Sequence, residues 1–305
     1  MHKTKKNILV IKHGALGDLM QSLGLLMDIR NHYPNSMINF LTAPAYCKLM
    51  QQCPMIDFVI ADNRAPIWRI DQQIKLKQKI IKQKIDLVID LQNSDRSRMY
   101  HQFWFSKTEW IGRSANENEP ATGLSGLITL LNGAGVQSPH AYRPDLSWMI
   151  ADISGLLDKN GVGKDYIVLI PGSSAQHLEK RWPYFGALAN ALIALGEQVV
   201  VIVGPDEVDL AKDMPGCIVK DLDWFTLAGV LNGSKYVIGN DTGPSHIASY
   251  LNKRGLAIFG PTTSADRAEI GRRNFETIEV DDLSALTVET VMKCLPKYEK
   301  LFKTA

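Results

Sequence analysis

Cysteine is scarce in this chain. Four residues (Cys47, Cys53, Cys217, Cys294) are scattered through 305 positions, and none forms a C-x-x-C pair. This excludes a disulfide-built scaffold and fits reduced thiols in a cytosolic protein. An excess of one charge is also missing. Thirty-four Lys and Arg against 32 Asp and Glu leave a formal net charge of +2, too mild to point to nucleic acid. No apolar run approaches the roughly 20 residues that span a bilayer. Lys3, Lys5 and Lys6 precede the apolar run Ile8–Ile11, but Lys12-His13 and then Asp18 end it before a signal-peptide core develops. The expectation is a soluble, cytoplasmic protein. The nucleotide signatures G-x-G-x-x-G and Gly-Lys-Ser/Thr are absent from the first glycine loop, where Gly14 and Gly17 have other spacing. That removes the main support for dinucleotide binding or ATP cleavage.

Hydrophobic residues make up 45% of the chain, enough for two cores, and the length favours two domains. Short β-branched runs alternate with amphipathic segments. The first half carries Ile8–Ile11, Ile38–Leu41, Phe58–Ile60 and Leu87–Asp90. The second carries Ile167–Ile170, Val199–Val203, Ile218–Val219, Tyr236–Ile238, Leu256–Phe259 and Thr277–Val280. This is the pattern of parallel sheets covered by helices on both faces, an α/β fold. A Gly- and Pro-containing stretch, Tyr142–Lys164, separates the halves. It predicts domains over 1–150 and 151–305. Ser284–Lys303 reads as a helix broken at Pro296 that crosses back onto the first domain. Over Ile70–Ile85, isoleucines 70, 74, 81 and 85 share one helical face, with Lys75, Lys79 and Lys82 roughly opposite. This is either a solvated lysine face or a surface attracted to anionic lipid.

The most informative stretch is Asp241-Thr242-Gly243-Pro244-Ser245-His246, directly after the apolar run ending at Gly239. A strand that ends in a carboxylate and turns through glycine into a helix aims backbone N–H groups and a helix dipole at one point. Thr242 can cap the helix or bind a phosphate oxygen, and Asp241 suits hydroxyl groups. The pairing suggests a nucleotide-linked sugar. Pro171-Gly172-Ser173-Ser174 follows another strand, and Lys180-Arg181-Trp182-Pro183 comes soon after. Small residues there let a phosphate approach, and Lys180 offers a compact charge for a diphosphate leaving group. Surface solvation for Lys180 and Arg181, and a core role for Trp182, are the plainer readings. Gly204-Pro205-Asp206-Glu207 ends a strand where an acid either binds ribose hydroxyls or lies in a solvated loop. Asp18, at the start of a helix, is either a helix-capping residue or a general base. His246 reads as a helix-packing residue, because no second His or Cys stands at ligand spacing. No metal site and no cofactor are expected.

Taken together, Lys12 with Gly17-Asp18, Asp86–Gln92 followed by Arg96-Ser97, Pro171-Gly172 with Lys180–Pro183, Gly239–Gly243 with Ser245-His246, and Phe259–Thr262 resemble the bacterial heptosyltransferases. These are the ADP-heptose-dependent transferases of lipopolysaccharide core synthesis, glycosyltransferase family nine. The resemblance spans nearly the whole chain. It implies a GT-B architecture, with two Rossmann-like domains facing across a cleft, and an inverting, metal-independent transfer. It further implies an acceptor bound by the first domain through Lys12, Gln92 and Arg96, with Asp18 as catalytic base. The donor is bound by the second domain: Lys180 near its phosphate and sugar, Asp241 on the heptose hydroxyls, and Thr242 and Gly243 at the pyrophosphate. Ser173, Ser174, His246 and, more loosely, Glu207 complete that side. The implied partners are a nucleotide sugar, which is a substrate, and a lipid-linked saccharide, with peripheral contact at the cytoplasmic face of the inner membrane.

The chain departs from the family at Gly14-Ala15, where hydroxyl residues are frequent, and at Ile170, where many members carry histidine. Arg64–Arg69 also has fewer positive charges than a heavily phosphorylated acceptor would suit. The acceptor and the donor sugar therefore stay open. Another nucleotide sugar or another acceptor is the alternative, and a non-catalytic envelope-assembly role is a third reading.

Overall fold

The computed structural model describes residues 5–113 and 123–295, without the side chains of Asp206 and Val208. Two compact units, Met1–Trp148 and Met149–Ala305, make up the chain. The first contains β1 (Asn7–Ile11), α1 (Leu16–His32), β2 (Met37–Thr42), α2 (Pro44–Met50), β3 (Phe58–Ala61), α3 (Ile70–Ile81), β4 (Leu87–Asp90), α4 (Asp95–Trp104), β5 (Glu109–Ile111) and α5 (Gly123–Gly133). The second contains α6 (Ser154–Lys159), β6 (Tyr166–Ile170), α7 (Phe185–Ala194), β7 (Gln198–Val203), β8 (Cys217–Lys220), α8 (Trp224–Gly233), β9 (Tyr236–Asn240), α9 (Gly243–Tyr250), β10 (Gly255–Phe259), α10 (Ala265–Ala268), β11 (Phe275–Glu279) and α11 (Val288–Lys293).

Each unit is one all-parallel sheet. The orders are β3-β2-β1-β4-β5 and β11-β10-β9-β6-β7-β8. Central strands are continuous apolar runs because helices cover both faces. Ile8–Ile11, and β6, β9 and β10 in full, are buried. In the second unit, Ile167, Leu169, Val201 and Ile238 pack with Trp182, Phe185 and Leu188 in one core. The fold is the Rossmann-like α/β arrangement that the strand pattern predicts.

In a sheet of this kind the strand order reverses once, and loops at the carboxyl ends diverge there to leave a crevice. In the first unit the reversal falls between β1 and β4, which end side by side with Ile11 opposite Asp90. In the second it falls between β6 and β9, with Ile170 opposite Gly239. The loops after these four strands carry Lys12, Gln92, Ser173 and Asp241.

Three features differ from the sequence reading. The strand β5 has no counterpart among the expected strands. The segment over 70–85 forms a shorter helix, and its isoleucine face does not meet the sheet: Leu76 and Ile80 are buried, whereas Ile70, Ile74 and Ile81 are exposed. Of the C-terminal helix, α11 is seen, and the expected crossing-back segment beyond Leu295 lies outside the described residues.

Candidate active site

In the first unit, Lys12 follows β1 and is buried, and its ammonium donates to the Leu91 carbonyl at 3.1 Å. Burial holds its pKa below the ordinary lysine value, opposed by the negative charges of Asp18 and Asp90. The Gln92 side chain accepts from the His13 amide at 2.8 Å. These two contacts tie the β1 loop to the β4 loop across the strand-order reversal. Asp18 is the third residue of α1 and is exposed. The N-cap is Ala15 with no side-chain cap bond, so Asp18 is not the capping residue; its carboxylate sits where the helix dipole favours negative charge.

Arg96 is engaged inside the protein. Its guanidinium bonds both oxygens of Asp62 at 3.2 Å and the Ala65 carbonyl at 2.8 Å. Asp62, buried just after β3, also takes His13 Nε2 at 2.8 Å and the Tyr100 hydroxyl at 2.5 Å. Burial pushes the Asp62 pKa up, but the bonds from His13, Tyr100 and Arg96 outweigh it and hold the carboxyl well below the usual range. The sequence reading did not single out His13, Asp62 or Tyr100. The one available signal was Asp62's place at a strand end. A cavity of about 350 Å³ opens beside this cluster, its walls including Asp62, Arg96 and the α3 residues Gln73, Lys75 and Lys79.

In the second unit several of the residues expected to bind a donor converge on Asp241. Lys180 Nζ donates to Asp241 Oδ2 at 2.6 Å, and Thr263 Oγ1 donates to the same oxygen at 2.8 Å. His246 Nε2 stands 3.7 Å from Oδ1, beyond hydrogen-bond range but close enough to act electrostatically. Burial raises the Asp241 pKa, and His246, Lys180 and Thr263 more than reverse this, so the carboxyl is held well below its usual range. Nδ1 of His246 is buried and finds no hydrogen-bond partner. Thr242 is the N-cap of α9 but makes no cap bond, and its hydroxyl lies 3.4 Å from Ser245 Oγ. Helix geometry leaves first-turn amides of α9, apart from the imide nitrogen of Pro244, without intrahelical partners. A turn of this kind offers N–H groups to an anion.

The other positions expected on the donor side make structural contacts. The Ser173 hydroxyl accepts from Arg181 Nε at 3.0 Å, and Ser174 is exposed in the same loop. Glu207 caps its own turn by accepting from the Gly204 amide at 2.7 Å, and Arg181 lies 3.9 Å away. It is not a solvated-loop side chain: a Cβ on Gly172 would sit 2.0 Å from its Oε2. The Asp206 side chain lies outside the described residues. Trp182 is core, with Nε1 donating to the Leu286 carbonyl at 2.9 Å. Asn240, which sequence reasoning missed, is the clamp: its Nδ2 donates to the Pro171 and Gly172 carbonyls at 2.8 and 3.1 Å, and its Oδ1 accepts from the Trp182 amide at 3.1 Å. It joins the β6 loop to the β9 loop. Among the described residues, no three His, Cys, Asp or Glu side chains gather as a metal site.

Two Rossmann-like units, each built on one all-parallel sheet, correspond to the GT-B fold. The family described as Glycosyltransferase family 9 (heptosyltransferase) matches residues 136–278. Lipopolysaccharide heptosyltransferase 3 of Escherichia coli is 25% identical, with 81% of each chain covered. Among solved structures, a glycosyl transferase family 9 protein from Veillonella parvula superimposes with a TM-score of 0.79 at 20% identity, covering 96% of this chain and 97% of that one. The E. coli ADP-heptose lps heptosyltransferase II does so at 0.71 and 20% identity, covering 93% and 96%. The chain is thus similar to heptosyltransferases over most of its length, and residues 136–278 match the glycosyltransferase family 9 model.

Proposed function

We propose that this enzyme transfers a heptose from ADP-heptose to a lipid A–Kdo-type lipopolysaccharide core acceptor, with inversion at the anomeric carbon and without a metal ion. The observation that carries the reading is the Asp241 carboxylate, held ionised by His246, Lys180 and Thr263 at the β6/β9 reversal, next to the first turn of α9. An ionised carboxylate accepts hydrogen bonds from sugar hydroxyls, and the amides and Lys180 answer a diphosphate. The likeness to the E. coli ADP-heptose lps heptosyltransferase II supports the donor.

In the proposed step, Asp18 takes the proton of the acceptor hydroxyl. The acceptor oxygen bonds the anomeric carbon as the bond from that carbon to the phosphate oxygen breaks. ADP leaves with the electron pair, its charge met by Lys180 and the Thr242–Gly243 turn. Lys12, Gln92 and the basic side chains of the α3 cavity are assigned to the acceptor side. Arg96 joins them through the wall it builds with Asp62. The reaction is placed at the cytoplasmic face of the inner membrane, where a lipid-linked saccharide is within reach.

The test is mass spectrometry of products from ADP-heptose and truncated lipopolysaccharide cores, in the presence of EDTA. Addition of one heptose supports the reading, and the anomeric configuration of the product by NMR decides inversion. A thermal-shift screen of ADP-, UDP- and GDP-sugars tests the donor independently. Stabilisation by a UDP-sugar alone overturns the heptose assignment, and donor binding without transfer or hydrolysis favours the non-catalytic role.

A further inference from the structure

The segment from Ile67 to Lys84 presents an apolar ridge to solvent. Ile67 and Trp68 in the turn before α3, and Ile70, Ile74 and Ile81 on the helix, range from 49% exposed at Ile74 to 79% at Trp68. The helix is anchored elsewhere: Leu76 and Ile80 pack into the sheet core with Leu9, Val88 and Tyr100. At 3.6 residues per turn, Ile70, Ile74 and Ile81 fall within an arc of about 40°, one continuous stripe rather than scattered side chains. Exposed apolar stripes rimmed by polar residues mark interaction surfaces.

The rim decides the partner. Residues 67–84 hold six basic side chains (Arg69, Lys75, Lys77, Lys79, Lys82, Lys84) against one acid, Asp71. That acid is itself paired with Arg69 at 3.2 Å. The whole chain is only +2, so the positive charge is gathered here. Protein–protein interfaces are depleted of lysine. A helix with isoleucines and Lys77 on one side, a tryptophan in the turn before it and a net positive charge fits the boundary between headgroups and acyl chains of an anionic bilayer. Lys77 falls about 40° from the centre of the stripe, so its stem can lie along the apolar side chains while its ammonium reaches a phosphate. No described helix is long and apolar enough to cross a membrane, so the contact is one of lying on the surface.

We propose that Ile67–Lys84 is a membrane-docking surface for anionic phospholipid. The ridge of Ile67, Trp68, Ile70, Ile74 and Ile81 enters the interface, and Lys77 binds headgroups. This goes beyond the proposed reaction and stands whichever sugar is moved.

The experiment is flotation of the full chain with phosphatidylcholine vesicles, with and without about one-third phosphatidylglycerol. Binding at least tenfold stronger to the anionic vesicles is expected, weakening as salt is raised. The double variant Trp68→Ser/Ile70→Ser should lose tenfold or more on those vesicles. Lys77→Gln should cost about fivefold there and change little on neutral vesicles. None of these positions belongs to the assigned acceptor or donor machinery, so turnover on a soluble truncated acceptor should stay at the parent level. Equal binding to both vesicle types, or full binding by the Trp68→Ser/Ile70→Ser variant, overturns the proposal. So does a stable dimer in analytical ultracentrifugation that the same variant dissociates, because the ridge is then a protein interface. Vesicle binding without transfer refutes only the proposed reaction, and transfer without vesicle binding refutes only the docking surface.

Discussion

Lys180 and Asp241, 61 positions apart in sequence, meet at 2.6 Å where the loops after β6 and β9 come together. Both are largely shielded from water. Removing one partner strands the other, so Asp241→Asn and Lys180→Met should each lower stability by about 2–3 kcal/mol. The double variant should be less harmed than the sum of the two, with a coupling above about 1 kcal/mol. Urea denaturation of the four proteins gives the coupling. Calorimetric titration with ADP-heptose should show donor affinity lost in all three variants.

Acid should remove part of this stability. Asp241 and Asp62 have folded pKa values held below the unfolded value of about 3.9. Their contribution is therefore fully present above the unfolded pKa and is lost as pH falls through the folded one. Denaturation midpoints should owe no change to this pair between neutral pH and roughly pH 5, then fall below about pH 4. Asp62→Asn should be less stable than the parent at neutral pH, since His13 and Arg96 lose their acceptor, and should show a shallower acid limb.

The parts of this site that sequence displayed are those built from neighbours. Gly239 to Gly243 is a strand, a carboxylate and a turn in one stretch, and the burial of β9 and a helix after it follow; α9 starts at Gly243, two residues before the expected Ser245. Asp62 with His13, 49 positions apart, and Asn240 with Pro171, 69 apart, rest on pairings that no local pattern encodes. β5 escaped because Glu-Trp-Ile is three residues without an apolar run. In α3 the two-faced pattern was visible, but the anchoring face is set by Leu76 and Ile80, turned away from the isoleucine stripe. The sheet it packs on lies elsewhere in sequence.

Asp18 separates chemistry from folding. It is exposed in the first turn of α1 and does not cap the helix. Asp18→Asn gives up a favourable dipole contact of at most about 1 kcal/mol. If Asp18 is the base, turnover should fall by about 10²–10⁴-fold while donor affinity and melting temperature stay close to the parent's. Single-turnover kinetics alongside thermal melts check this, and an unchanged rate places the base elsewhere.

Asn240 separates the opposite way. Its side chain makes three buried bonds that join two loops and the Trp182 amide. Asn240→Ala leaves those groups unpaired, at a cost of roughly 3 kcal/mol. That corresponds to a melting temperature lower by about 6–12 °C in a unit of this size. Donor affinity should fall with it, since the two loops that carry Ser173 and Asp241 are no longer tied.

Gly172 and Glu207 provide a test in which a second change repairs the first. A methyl at position 172 would meet the Glu207 carboxyl carbon at 2.1 Å and Oε2 at 2.0 Å, so Gly172→Ala must displace that side chain. Displacement breaks the bond from the Gly204 amide and moves the acid away from Arg181. Gly172→Ala alone should therefore lose stability and donor affinity together. In a Glu207→Ala background the added methyl meets no carboxylate, and Gly172→Ala should cost far less than in the parent. If Glu207 only caps its turn, the Glu207→Ala variant keeps parent affinity for ADP-heptose after correction for folding. If it holds the nucleoside, affinity falls at least tenfold in that variant with the fold intact, and Gly172→Ala adds little further loss. Calorimetric titration of the parent, both single variants and the double variant distinguishes the two outcomes.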